Sequence, residues 1–258
     1  MTNSYSDYIK RFYDDLAKEF GERYHYERWM KDILKKRDYE QTLKALLYHL
    51  NDKHFGRALE IGCGVGTWSV HISRFCDSIT LLDISANMAK IATDKLHEVG
   101  FCNVQQVIGD FQDPNLKVEG SYDAVFCIRA IEYMENKIYA LSRMQKLLKR
   151  NGFALIVTKN PNVSTLPFAF LLTRRIFKPP ILFTNLIHYR DLLVIAKNVG
   201  FEDIRAYPVI TSFHVPMLNE KIERMLSDRL HEILFKRQIN PAYLTSIESY
   251  VVKMKASG

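Results

Sequence analysis

The sequence predicts an α/β fold: a doubly wound, mostly parallel, seven-stranded sheet with an N-terminal helical cap and an insertion after the fifth strand. Three observations predict it. From Arg57 onward, short apolar runs of strand length alternate with segments of helical periodicity. Glycines stand at the junctions, as at Gly62, Gly100, Gly152 and Gly200. Two late apolar runs, Ile204 to Ile210 and Tyr250 to Met254, extend the series beyond the alternating core. Such alternation places helices on both faces of a parallel sheet.

Ile9, Phe12, Tyr13, Leu16 and Phe20 recur at helical spacing, and Gly21 closes the segment, so the chain opens with an amphipathic helix. Leu43, Leu46, Leu47 and Leu50 mark a second helix. Arg57 to Ile61 is a short apolar run closed by glycines, the pattern of a buried parallel strand. Further strands are expected at Ile79 to Asp83, Val104 to Ile108, Ala124 to Ile128 and Phe153 to Thr158. Helices are expected from Asn87 to Val99, from Ile138 to Leu148 and from Arg190 to Asn198. Between Asn162 and Ile187 lies an irregular stretch rich in Phe and Leu and broken by Pro167, Pro179 and Pro180. A helical excursion is expected between Pro216 and Pro241.

The chain has 258 residues and a formal net charge of +7, with the Lys and Arg residues scattered rather than clustered. A scattered excess aids solubility more than it marks a nucleic-acid face. Cys63, Cys76, Cys102 and Cys127 form no CxxC pair, which points to reduced thiols rather than a zinc site or a disulfide framework, and so to the cytoplasm. The N-terminus lacks a signal-peptide core, and the apolar run Leu166 to Leu172 is too short to span a bilayer.

In an open α/β sheet, ligands bind beyond the carboxyl ends of the strands, so the residues that end each strand carry the functional information. After the first strand comes Glu60-Ile61-Gly62-Cys63-Gly64-Val65-Gly66-Thr67. Its spacing is GxGxG after an acid, and Thr67 stands where the dinucleotide fingerprint needs Gly or Ala, so NAD is not expected. Asp83 ends the second strand, where a carboxylate can accept both hydroxyls of a ribose or instead cap the following helix. Ile84 and Met88 offer apolar surface to an adenine ring, or belong to the core. Asp110, with Phe111 beside it, ends the third strand and suits an exocyclic amine, or a solvated turn before Asp113-Pro114.

Taken together, these segments resemble the class I S-adenosylmethionine-dependent methyltransferases, which have a Rossmann-like fold. Leu59 to Gly66 is similar to the family's E/DxGxGxG motif, Leu82 to Met88 to its ribose-binding motif, and Gly109-Asp110-Phe111 to its adenine-contacting turn. Tyr122 to Arg129 resembles the fourth motif, and Leu147 to Val157 the turn into strand five. The resemblance covers roughly Phe55 to Asn160. It implies S-adenosyl-L-methionine as cofactor, with the Gly62 backbone facing its methionine portion, Glu60 organising the loop and Ile128 beside the amino group. It also implies an aromatic or basic residue from the N-terminal segment over the methionine carboxylate; Tyr24 is preferred, with Tyr13 and Arg28 as alternatives. On this reading 1–258 form a single domain: a helical cap over 1–54, a cofactor-binding core over 55–160, and a lid with the final strands over 161–258.

Methyl transfer from a sulfonium needs alignment and exclusion of water more than a dedicated base. On the acceptor side, His188 is a candidate base or a structural histidine. Arg129 follows a buried run and needs a partner, Glu132 or an anionic acceptor; Tyr133, Asn160 and Tyr189 also fall near strand ends. The fourth motif, Cys127-Ile128-Arg129-Ala130, lacks the N/D/S-P-P-Y/F pattern of base and amide methylation, so a small-molecule acceptor is expected, with the Leu166 to Phe183 stretch as an apolar lid. Arg174, Arg175 and Lys178 in that stretch leave a peripheral membrane contact open. The alternatives are an RNA methyltransferase and a non-catalytic nucleotide-binding protein of the same fold.

Overall fold

A computed structural model describes residues 4–161, 185–209, 220–239 and 249–257. Within them the alternation becomes seven strands: β1 (Phe55–Ile61), β2 (Cys76–Asp83), β3 (Val104–Ile108), β4 (Tyr122–Ile128), β5 (Leu148–Lys159), β6 (Phe201–Val209) and β7 (Ser249–Ala256). The helices are α1 (Tyr5–Phe20), α2 (Ile33–Leu50), the short α3 (Ser69–Ile72), α4 (Ala86–Glu98), α5 (Lys137–Leu147), α6 (Tyr189–Asn198) and α7 (Glu220–Leu234). The expected lid, Leu166 to Phe183, lies outside the described residues.

The strand order is β3-β2-β1-β4-β5-β7-β6, parallel except for β7, which runs antiparallel to both β5 and β6. Successive residues point to opposite faces. Ala58, Phe126 and Leu155 pack on one side with α2 and α4, while Leu59, Val125 and Ile156 pack on the other with α5 and α6. The chain winds outward from β1 through β2 to β3, then returns to start β4 on the other flank of β1. The carboxyl ends of β1 and β4 are therefore the crevice where a ligand can enter.

The cap is more structured than its periodicity implies. Ser4 and Asp7 form a reciprocal capping box at the start of α1, and Gly21 ends the helix at φ +52°. One turn of π-helix, Tyr26–Met30, then leads into α2, whose Asp32 caps the Lys35 amide at 2.8 Å. Three polar contacts pin the cap over the strand ends. The Ser85 hydroxyl donates to Asp14 at 2.5 Å, His25 Nδ1 meets the Thr67 hydroxyl at 3.1 Å, and the Arg129 guanidinium donates to Asp38.

Helix α7 lies along α2 and β6, and two histidines sit in that seam. His231 stacks on Phe235 at 4.8 Å, and His49 meets the Tyr207 ring at 4.4 Å. Burial pushes both imidazoles down to about 4; Lys253 and Lys53 add to the effect on His49, and Lys44 to that on His231. The unfolded chain therefore binds more protons below pH 6.5, and the stabilisation is complete above that value and lost as pH falls towards 4. The loss is on the order of 3 kcal/mol for a fully buried histidine shifted that far. His49→Phe is expected to flatten the stability profile between pH 6.5 and 4, measured by urea unfolding at stepped pH. An unchanged slope would remove His49 from the acid response.

Candidate functional site

The loop after β1 is shaped by close approaches. Gly62 has φ +72°, and a Cβ there would run into the Ala130 side chain. Gly66 has φ +75°, and a Cβ would stand 2.9 Å from Ala92 Cα in α4. The first glycine lets the loop lie against the segment after β4, and the second lets it lie on α4.

Beneath the loop, Glu60 is fully buried. Its Oε2 accepts the Ser69 hydroxyl at 2.5 Å, while Oε1 has no hydrogen-bond partner. Burial pushes its pKa up to about 8, with the Ser69 bond working against the rise and Asp83 adding to it. Asp83, at the end of β2, accepts the Gly64 amide at 2.8 Å and the Ser85 amide at 2.9 Å. Burial raises its pKa to about 6 against the pull of the Ser85, Gly64 and Ile84 amides, and Asp14 adds to the rise. Each oxygen of this carboxylate thus holds a backbone amide.

A cavity opens over these strand ends. Its floor is Gly62, Cys63, Gly64, Asp83, Ile84, Gly109, Asp110, Phe111 and Ile128. Its opposite wall is the cap: Tyr5, Ser6, Ile9, Tyr13, Tyr24, Arg28 and Trp29, with Tyr133 and Met134 closing one end. The Tyr13 and Tyr133 rings meet edge to face at 5.6 Å. Burial is the main cause that raises the pKa values of Tyr13, Tyr24 and Tyr133, which keeps all three phenols protonated at neutral pH. Asp110 accepts the Gln112 amide at 2.8 Å, so it makes its turn and faces the cavity as well.

Of the residues singled out from sequence, Gly62, Gly64, Asp83, Ile84, Asp110, Phe111, Ile128, Tyr24, Tyr13, Arg28, Arg129 and Tyr133 line this cavity. Glu60 and Gly66 lie behind the wall as loop supports. Met88 does not offer its side chain to the cavity; it packs with Ala17 and Val65 where α1 meets α4. His188 caps α6, its Nδ1 accepting the Arg190 amide at 3.2 Å, away from the cavity wall. Glu132 is committed to Arg129, to the Thr158 hydroxyl at 3.4 Å and to the Lys159 amide at 2.9 Å. Sequence reasoning missed Tyr5, Ser6, Ile9, Trp29, Thr67, Trp68, Gln112 and Met134. The one signal for the cap residues was the density of aromatic side chains before residue 30.

Comparison with known proteins shows which proteins this chain resembles. The methyltransferase-domain family model matches residues 59–154. A ubiquinone biosynthesis O-methyltransferase from Xanthomonas campestris is 25% identical over 138 residues, 53% of this chain and 56% of the relative. The sterol 4-C-methyltransferase strm-1 of Caenorhabditis elegans is 26% identical over 118 residues, 44% of this chain and 35% of that one. The chain thus spans about half the length of the ubiquinone enzyme it matches. Among solved structures, the magnesium protoporphyrin IX methyltransferase of Synechocystis with bound S-adenosylhomocysteine superposes with a TM-score of 0.66 at 17% identity, covering 98% of this chain and all of that one. The [4+2]-cyclase SpnF superposes with a TM-score of 0.65 at 14% identity, covering 98% and 97%. The second neighbour bears a different activity on the same scaffold, so reaction type has to be argued from the site.

Proposed function

We propose that this chain is a class I S-adenosylmethionine-dependent methyltransferase that binds S-adenosyl-L-methionine in the cavity over β1 and β4. We propose further that it transfers the methyl group to a small-molecule acceptor with an apolar body. The observation that carries this reading is Asp83, a carboxylate that lines the cavity at the end of β2, where a nucleoside would present its paired ribose hydroxyls. The side-chain-free backbone of Gly62 and Gly64 on the cavity floor fits the same cofactor, since a sulfonium amino acid needs bare backbone beside it.

When bound, the cofactor supplies an already activated methyl group, so the protein's task is placement. Asp110, Phe111 and Ile84, which line the cavity, would hold the adenine, and Tyr24, Tyr13 and Arg28 on the cap would hold the methionine portion. The wall of Tyr5, Ile9, Tyr13, Trp29 and Met134 excludes water and receives the apolar part of the acceptor. The protonated phenols position an acceptor by hydrogen bonding and do not act as bases. In this reading Arg129 and Glu132 hold the wall, and His188 caps its helix. The cap over 1–54, the core over 55–160 and the acceptor-side region over 161–258 act as one domain. The four free cysteines fit a cytoplasmic protein.

Calorimetry is expected to show S-adenosyl-L-methionine binding and no NAD(H) binding, and mass spectrometry of the purified protein is expected to find copurified S-adenosylhomocysteine. Tight NAD binding without S-adenosyl-L-methionine binding would overturn the reading.

A further inference from the structure

Helix α7 carries a face that stays exposed among the described residues. Ile222, Met225, Leu226 and Ile233 are 44%, 51%, 40% and 54% exposed, and their spacing puts them on one stripe. Arg229 falls inside the stripe, and Lys236 and Arg237 at its C-terminal end are exposed too. The opposite side is the packed one: His231 is fully buried there.

Two acids of the helix, Asp228 and Glu232, are drawn towards α2. Asp228 accepts the Gln41 amide at 2.9 Å and lies 3.8 Å from Arg37, and Glu232 pairs with Lys44. Among the described side chains, this face therefore holds four aliphatic groups and Arg229 on the helix, with Lys236 and Arg237 just beyond its end, and no carboxylate. At its edge Tyr48 of α2 is 43% exposed, with the Lys236 ammonium 5.6 Å from its ring.

We propose that this face of α7 docks the protein on an anionic lipid bilayer, the aliphatic row entering the headgroup boundary and Arg229, Lys236 and Arg237 meeting lipid phosphates. A helix lying in the interface has this pattern of one apolar row bordered by cations. Charge excludes the same face of a second copy, because the three cations of one stripe would meet those of the other. Composition disfavours a protein groove: the row itself is Ile, Leu and Met without the Trp or Tyr anchors that dominate protein hot spots, and Tyr48 at its edge has the Lys236 ammonium over its ring. A bilayer accepts such a row whatever its detailed shape. The helix does not cross the membrane; no helix among the described residues is long and apolar enough to do so.

The test is co-sedimentation of the whole protein with phosphatidylcholine vesicles and with vesicles containing about one third phosphatidylglycerol. Binding is expected only to the anionic vesicles, and to fall steeply in high salt. Arg229→Glu with Lys236→Glu is expected to weaken it by about a hundredfold, since each reversal replaces attraction by repulsion. Leu226→Ser with Ile233→Ser should weaken it at least tenfold, while Lys197→Glu on the exposed surface of α6 should change it little. All variants should keep cofactor binding and melting temperature, because every altered side chain is exposed. If Lys197→Glu weakens binding as much as the α7 variants, attraction is general to a basic protein and the proposal fails. It also fails if no vesicles are bound, or if light scattering shows a dimer that the α7 variants abolish.

Discussion

Asp83→Ala is expected to weaken S-adenosyl-L-methionine binding at least tenfold and to lower the melting temperature as well. The two losses have separate origins. A carboxylate here offers acceptors to two ribose hydroxyls, and a hydrogen bond to a charged group contributes about 1.5–3 kcal/mol. The same oxygens also hold the Gly64 amide at 2.8 Å and the Ser85 amide at 2.9 Å in a buried setting. Removing them leaves two amides to find water, at about 1–3 kcal/mol each if they find none. Calorimetry and thermal denaturation on the same preparation separate the effects. A lower melting temperature with an unchanged dissociation constant would reduce Asp83 to a clasp between loop and helix, and the ribose assignment would fail.

That dual role marks where the sequence was legible and where it was not. The strands could be read because a doubly buried strand needs apolar residues on both faces, and runs such as Ala124 to Ile128 have them. The glycine loop was legible because φ values near +70° exclude most other residues. Asp83 had two readings, ribose ligand or helix cap. The structure gives the capping of α4 itself to the Ser85 hydroxyl, 3.2 Å from the Met88 amide, while Asp83 holds the Ser85 amide. The cap wall was largely illegible. Ile9 and Trp29 have the character of core residues, and periodicity shows that a helix has an apolar face without saying what that face covers. Met88 also had two readings, adenine contact or core, and the docking of α1 on α4 buries it among Ala17 and Val65.

Arg129→Ala is expected to cost about 3–5 kcal/mol of folding stability, before any effect on turnover is considered. Arg129 links the cap to the core: its guanidinium donates to Asp38 of α2 and, at 3.4 Å, to Glu132, with all three side chains at least nine-tenths buried. Truncation leaves Glu132 its bonds from Lys159 and Thr158, but among the described residues leaves Asp38 the Thr42 hydroxyl at 3.3 Å as its side-chain donor. A buried carboxylate so poorly compensated is the main expense. The backbone at Arg129 sits at φ +60°, a conformation that a non-glycine residue holds only when its surroundings enforce it, so the ion pairs also maintain the turn after β4. For a chain of this length the loss corresponds to a fall of about 10 °C in melting temperature. Asp38→Ala added to Arg129→Ala should recover part of it, since the orphaned charge goes with its partner. Arg129→Lys should fall between, keeping the charge without the fork that reaches both acids. Should Arg129→Ala instead melt like the parent while turnover alone collapses, the guanidinium serves the acceptor and not the fold.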